Sequence, residues 1–375
     1  MQETSKEIVI EIGSIKKWVF LSIMLFIFVF ELWVTHTSPI AFGDEGFHVS
    51  AAKWIGTKME YPIYTPLYAS DFLPERFNRL PLWNFIEASF YMLFGFNEAI
   101  VKTLLPFTAF LTGLTIYIFG KKIFNENIAF LAGILAVAIP SFVTYSVLFY
   151  TVVPYIFFFS IAFLSFLLAV KTEQKKYLWL AAVFTAIAIL ANIAGLFLPA
   201  LFFVTALYEF SKKISLKSFF EIIKKYGIIF LIIVALVFPW VLRNFALYYV
   251  PGCTSISAIL QGKCSAQAYV SQFSFVGRAP EVGTEAGILT FGLINYLQFA
   301  YGFASPSPLL NIIGVSFIPF SFLAGLLLTV KKRTKVEIVI LAAIFIFTLL
   351  FLQVGGLFDG RAEDTARYFL SAVPL

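Results

Sequence analysis

The stretch "WVFLSIMLFIFVFELWV" (Trp18–Val34), followed shortly by "AFGDEGFHVSAAKW" (Ala41–Trp54), decides how this chain is read. The first is apolar over a length that crosses a bilayer, because ~20 residues rising 1.5 Å each span the hydrocarbon core. The second sets two carboxylates, Asp44 and Glu45, side by side, with His48 one helical turn later. Charged residues are only 13% of the chain, so a pair of acids just beyond a greasy segment asks for a reason.

Outward from that point the pattern repeats. The 375 residues are 60% hydrophobic, whereas soluble domains are roughly half apolar and about a quarter charged. Apolar runs predict spans near 18–35, 100–119, 127–146, 150–170, 177–194, 195–210, 226–242, 308–330 and 336–354, and a tenth starts near Arg367 as the sequence stops at Leu375. A polytopic, all-α integral membrane protein of nine to ten transmembrane helices is therefore expected. A cleavable signal peptide does not fit a long first span with no small-residue cleavage site and many spans behind it.

Placing the N-terminus on the cytoplasmic side puts segments 1–17, 121–126, 171–176, 211–225 and 331–335 inside, and these carry 17 of the 27 lysines and arginines. Short, basic inner loops are what the positive-inside rule demands. The formal charge of +6 is thereby spent on topology, and no nucleic-acid partner is expected. The outer side then holds two long segments, about 36–99 and 243–307, and a short one at 355–366. Long loops are where function concentrates. Six of the seven arginines, all four aspartates and both histidines fall on that side. Arginine's planar fork suits two-point contact with phosphate, which lysine's point charge does not offer. The asymmetry points to an outward site handling an anion and a proton; surface ion pairing is the plainer alternative.

Within the first outer segment, Phe47, Ala51, Trp54 and Ile55 recur at helical spacing, predicting a helix too short to span that lies along the membrane surface. Asp44 sits where an N-cap would sit, and Glu45 suits the first-turn dipole. A second surface helix starts at "LPLWNFIEASFYMLFG", with Pro81 at its first turn and Gly95 at its stop. Glu31 lies near the outer end of the first span, where an acid is either interfacial or costly and functional. Asn192 and Asn295 are polar enough to serve contacts between spans.

Taken together these residues resemble the GT-C superfamily of membrane glycosyltransferases, in particular its protein O-mannosyltransferase and aminoarabinose transferase branch. The likeness is carried, in order, by "GDEGFHVSAAKWI", "RLPLWNFIEASFYMLFGFNEAIVKTLLPF", "FPWVLRNFALYYVPG" and "ARYFLSAVP". It implies a single transmembrane glycosyltransferase domain over 1–375. The implied reaction moves a hexosyl or pentosyl group from a polyprenyl-phosphate-linked sugar, lying among membrane lipid, to a hydroxyl on a protein or glycolipid acceptor. It also implies Asp44 as base, Glu45 as the group orienting the acceptor, and Arg243 and Arg367 as grips on the donor phosphate. His48, Arg79, Arg278 and Tyr368 are further candidates for substrate contact.

Many relatives carry another acid in the outer turn between the third and fourth spans. Here that turn reads "SVLFYTVVPY", with neither Asp nor Glu. A metal-independent reaction is thus expected, with no cofactor required; His36, Asp44 and His48 are the residues that a divalent metal would use. Cys253 and Cys264, with ten residues between them in the second outer segment, read as a disulfide, with two free thiols as the alternative. Two other functions fit the composition: a transporter or flippase of a lipid-linked or anionic solute, and an inactive relative acting as a subunit. Few polar residues fall mid-span, which favours an interfacial enzyme over a transporter.

Overall fold

The computed structural model describes residues 12–37, 44–67, 71–76, 79–212, 214–248, 334–341 and 343. Helix α1 (Ile12–Thr37) is followed by α2 (Asp44–Lys58), a two-stranded antiparallel hairpin of β1 (Tyr64–Leu67) and β2 (Asp71–Arg76), and α3 (Pro81–Phe94). Then come α4 (Glu98–Lys102), α5 (Leu104–Ile123), α6 (Glu126–Ala138), α7 (Pro140–Val147) and α8 (Val152–Thr172). The described chain continues with α9 (Lys175–Ala191), a 3-10 turn (Ile193–Leu196), α10 (Phe197–Ser211), α11 (Leu216–Tyr248) and a helical stretch at 335–341.

Among the described residues, five segments are long and apolar enough to cross a membrane: Ile15–Thr37, Glu98–Ile123, Val152–Thr172, Ala194–Ser211 and Leu216–Asn244. All of the first seven expected spans are helical, but two differ from a single long helix. The span expected at 127–146 is divided into α6 and α7. Pro140 is the cause: it lacks an N–H and drives Ile139 into an extended conformation (φ −60°, ψ 127°). The span expected at 177–194 is the 17-residue α9, which ends at Asn192. That asparagine does not bridge helices as the sequence suggested; its side chain accepts from the N–H of Ala194 and starts the turn into α10. A Cβ on Gly195 would lie 2.6 Å from the Ile189 nitrogen, so the re-entry from α9 to α10 packs backbone on backbone. The expected spans at 308–330 and near Arg367 lie outside the described residues, as does Asn295.

Helix α8 is the centre of the bundle. In its membrane-length window 89% of residues are buried, against 22% in α1 and 17% in α11, whose outer faces are apolar and exposed. Helices apolar on all sides suit a bilayer. Phe20, Tyr117, Phe159, Phe163, Phe166 and Phe202 fill the interior. Helices α5 and α6 meet at two glycines: a Cβ on Gly133 would lie 2.9 Å from the Gly113 carbonyl and 2.9 Å from a Phe20 ring carbon. Small residues at a crossing let backbones touch.

The two ends of the bundle differ. At one end Lys16 donates to Asn127 (2.7 Å), and Lys225 pairs with Glu209 (2.9 Å). There too Lys171 donates to the last carbonyls of α5 at Lys122 and Ile123 (3.0 and 2.6 Å), and Lys335 pairs with Glu173 (3.1 Å). At the other end lie α2, the hairpin and α3. The hairpin is the one element here that an all-helical expectation did not contain.

Candidate functional site

The helix that carries the acid pair is more deeply set than a surface helix. Glu45, Gly46, His48, Val49, Ser50, Ala51, Ala52 and Ile55 are buried, while Phe47 and Trp54 are only half-buried. The buried side is thus partly polar, unlike the apolar stripe that spacing suggested. It faces three neighbours, namely α3, the hairpin and the turn between α7 and α8. Helix α3 has the ends that its sequence predicts: Pro81 stands at the first turn and Gly95 ends it at φ 78°.

Glu45 reaches the α7–α8 turn. Its Oε1 accepts the backbone N–H of Phe149 at 2.9 Å, and the residue is 2% exposed. This is the turn "SVLFYTVVPY", which has no acid of its own; one carboxylate of the pair is engaged there. Asp44 is the first residue of α2, and its side chain lies outside the described part.

His48 and Arg243 are joined by a chain of contacts that sequence reasoning missed. His48 Nδ1 is 2.7 Å from Asn84 Oδ1, both residues being buried. Asn84 Nδ2 donates to the Tyr61 hydroxyl (2.8 Å), which donates to the backbone carbonyl of Arg79 (2.8 Å). Arg243, near the end of α11, donates from Nη2 to the Tyr61 carbonyl (3.3 Å) and from Nη1 to Asn244 (2.9 Å). Its Cζ lies 4.9 Å from the Tyr61 ring centroid and 4.7 Å from that of Trp240, and the two rings meet edge to face at 4.8 Å. A guanidinium held over two aromatic faces keeps its charge and its direction.

Arg243 also lines a groove of about 360 Å³. Leu82 and Phe85 of α3, Leu190 of α9, and Leu236, Pro239 and Trp240 of α11 line it with apolar surface. A groove lined by apolar side chains and one arginine suits an anionic head on a hydrocarbon tail. The feature that could have flagged it in sequence is "FPWVLRN", where proline and tryptophan are adjacent and arginine follows about one turn later on α11.

Two buried acids lie nearby. Glu87 of α3 is fully buried, and burial raises its carboxyl well above the ordinary 4.5, an effect that the Trp83 indole one turn back only partly offsets. Tyr91 is raised as well, by burial first and then by Glu87 and Glu98. Glu31 is turned into the bundle from α1 and fully buried within the protein.

His36 is exposed at the end of α1, its Nδ1 donating to the Leu32 carbonyl (2.8 Å). Among the described residues no group of three His, Cys, Asp or Glu side chains is arranged to hold a metal ion. Arg79 is half-buried beside Tyr61. Arg278, Arg367, Tyr368, Cys253 and Cys264 lie outside the described residues.

Residues 78–242 match the family described as dolichyl-phosphate-mannose-protein mannosyltransferase. No curated protein matches by sequence. The fold is similar to that of ArnT from Cupriavidus metallidurans, solved bound to undecaprenyl phosphate, with a TM-score of 0.63 at 12% identity over 96% of this chain and 58% of that one. It is also similar to the archaeal oligosaccharyltransferase AglB from Archaeoglobus fulgidus, solved with an inhibitory peptide and a dolichol-phosphate, with a TM-score of 0.58 at 16% identity over 96% of this chain and 49% of that one. The chain thus spans about half the length of these solved relatives. The family match covers less than half of this chain, and the two solved structures share its fold.

Proposed function

We propose that the protein transfers a sugar from a polyprenyl-phosphate donor to an acceptor hydroxyl at the extracytoplasmic membrane face. The observation that carries this reading is the apolar groove that Arg243 lines. A polyprenyl phosphate has that polarity: a hydrocarbon chain ending in an anion. Both solved relatives hold such a lipid phosphate. The lysine-rich ends of the helices lie opposite the acid-pair end, and the positive-inside rule sets them in the cytoplasm.

In the reaction the acceptor oxygen attacks the anomeric carbon. The bond from that carbon to the phosphate oxygen breaks, and the lipid phosphate leaves with the electron pair. The acceptor's proton passes to the Asp44 carboxylate, which acts as general base. Phosphate is already a stable anion, so it calls for preorganised positive charge rather than an acid; Arg243 supplies that charge. Glu45, engaged on Phe149, holds the start of α2, and so Asp44, against the bundle.

The test is transfer of radiolabelled sugar from polyprenyl-phosphate-mannose and polyprenyl-phosphate-aminoarabinose by the purified chain. Arg243→Ala is expected to raise the donor KM at least tenfold, with Arg243→Lys between it and the parent. No transfer from either donor, or an unchanged KM in Arg243→Ala, overturns the reading.

A further inference from the structure

Helix α2 ends at Lys58, and the next residue, Met59, stands in the left-handed region at φ 56°. A methionine there turns the chain at some strain, which persists only where the surroundings fix it. Two residues on, Tyr61 precedes the buried Pro62, whose ring disfavours helical backbone in the residue before it. Tyr61 is thereby delivered between α3 and α11. Its hydroxyl donates to the Arg79 carbonyl at the entry to α3 and accepts from the Asn84 amide on α3, both at 2.8 Å. Its own carbonyl accepts from Arg243 Nη2 of α11 at 3.3 Å, and its ring centroid lies 4.9 Å from Arg243 Cζ. The Trp240 ring meets it edge to face at 4.8 Å.

We infer that Tyr61 is a positioning residue for Arg243: a side chain fixed at its far end by α3 that sets the plane of a guanidinium carried by α11. An arginine side chain turns about several bonds, and freezing them on binding costs affinity that a preformed seat saves. Here the seat is itself restrained at both ends, by Pro62 on the backbone side and by two hydrogen bonds on the hydroxyl. The hydroxyl therefore acts on Arg243 through the ring, and joins the first outer segment to the end of α11. Tyr61 and Arg243 each make further contacts, so this one is measured as a coupling between the two residues rather than by single removals. The seating stands on the contacts alone; its consequence for the donor deepens, and rests on, the function proposed above.

The chain has seven arginines, so protein labelled with 15N-arginine gives few side-chain resonances, and Arg243→Lys assigns that of Arg243 by its loss. Aromatic faces this close shield the guanidinium protons. Tyr61→Leu is expected to move the resonance toward the free-arginine position, and Tyr61→Phe, which keeps the ring and loses only its anchor, part of the way. An unmoved resonance in either variant overturns the inference. Binding of undecaprenyl phosphate to the purified protein is the second readout. Tyr61→Leu is expected to weaken it about fivefold and Tyr61→Phe about twofold, while Tyr61→Leu made in the Arg243→Ala background is expected to cost less than twofold more. Equal losses with and without Arg243 would make Tyr61 a merely structural residue and overturn the inference. In transfer from polyprenyl-phosphate-mannose, Tyr61→Leu is expected to raise donor KM with kcat within twofold; a fall in kcat at unchanged KM overturns it likewise. The expected resonance shifts in a parent that binds no lipid phosphate would leave the seating intact and count against the function alone.

Discussion

The Glu45 carboxylate accepts the backbone N–H of Phe149 at 2.9 Å, joining positions 104 residues apart in the chain. One acid of the pair therefore works as a buried tether between α2 and the α7–α8 turn. A hydrogen bond from a buried N–H to a carboxylate contributes about 2 kcal/mol. Glu45→Ala is expected to lower the thermal midpoint in detergent and transfer together, whereas Glu45→Gln, which keeps an acceptor oxygen, is expected to retain most of both. Equal loss in the two variants would mean that the negative charge itself acts on substrate.

Trp240 stacks on the Arg243 guanidinium 4.7 Å away and lines the groove. Removing a half-buried cation–π face costs about 1 kcal/mol. Trp240→Ala is thus expected to raise the donor KM about fivefold with little change in kcat, read in the transfer assay; a wild-type KM would detach the groove from donor binding.

Glu87 makes stability depend on pH. Its folded carboxyl is raised well above 4.5 by burial, so above about 4.5 the unfolded chain gives up a proton that the folded one keeps. Stability from this group is complete below 4.5 and is lost progressively as pH rises toward the folded value. Thermal midpoints measured between pH 5 and 8 should fall in the parent relative to Glu87→Gln, which lacks the titration. Parallel curves for the two proteins would contradict this.

At the α5–α6 crossing, Gly133 has no room for a side chain, with the Gly113 carbonyl 2.9 Å from where a Cβ would stand. Gly133→Val forces the two backbones apart at a cost of about 2 kcal/mol. A lower thermal midpoint is expected, while Ala at the exposed Leu131 position on the same helix is expected to leave it nearly unchanged.

Much of the bundle was legible before any coordinates. Length and hydropathy locate a membrane helix without reference to partners, which is why the first seven spans are all helical. Pro81 and Gly95 marked the ends of α3 because proline's missing N–H and glycine's freedom at positive φ act locally. Lysines sorted to one end for the same kind of reason. What spacing alone could not show were the long-range pairings. His48 and Asn84 are 36 residues apart, and Tyr61 and Arg243 are 182 apart, so nothing in the local pattern of either joins them. Nor does the spacing of Phe47, Ala51, Trp54 and Ile55 report that α2 is covered by the α7–α8 turn. Pro140 was visible, yet its break of the third span was read as one continuous helix.

The most direct test is made with Asp44→Asn, measuring binding of polyprenyl-phosphate-mannose and sugar transfer on the same preparation. The account predicts donor affinity within twofold of the parent and transfer reduced at least a thousandfold, because the phosphate is gripped at Arg243 and only the proton's destination has been removed. Transfer at the parental rate in a variant that binds donor normally would contradict it.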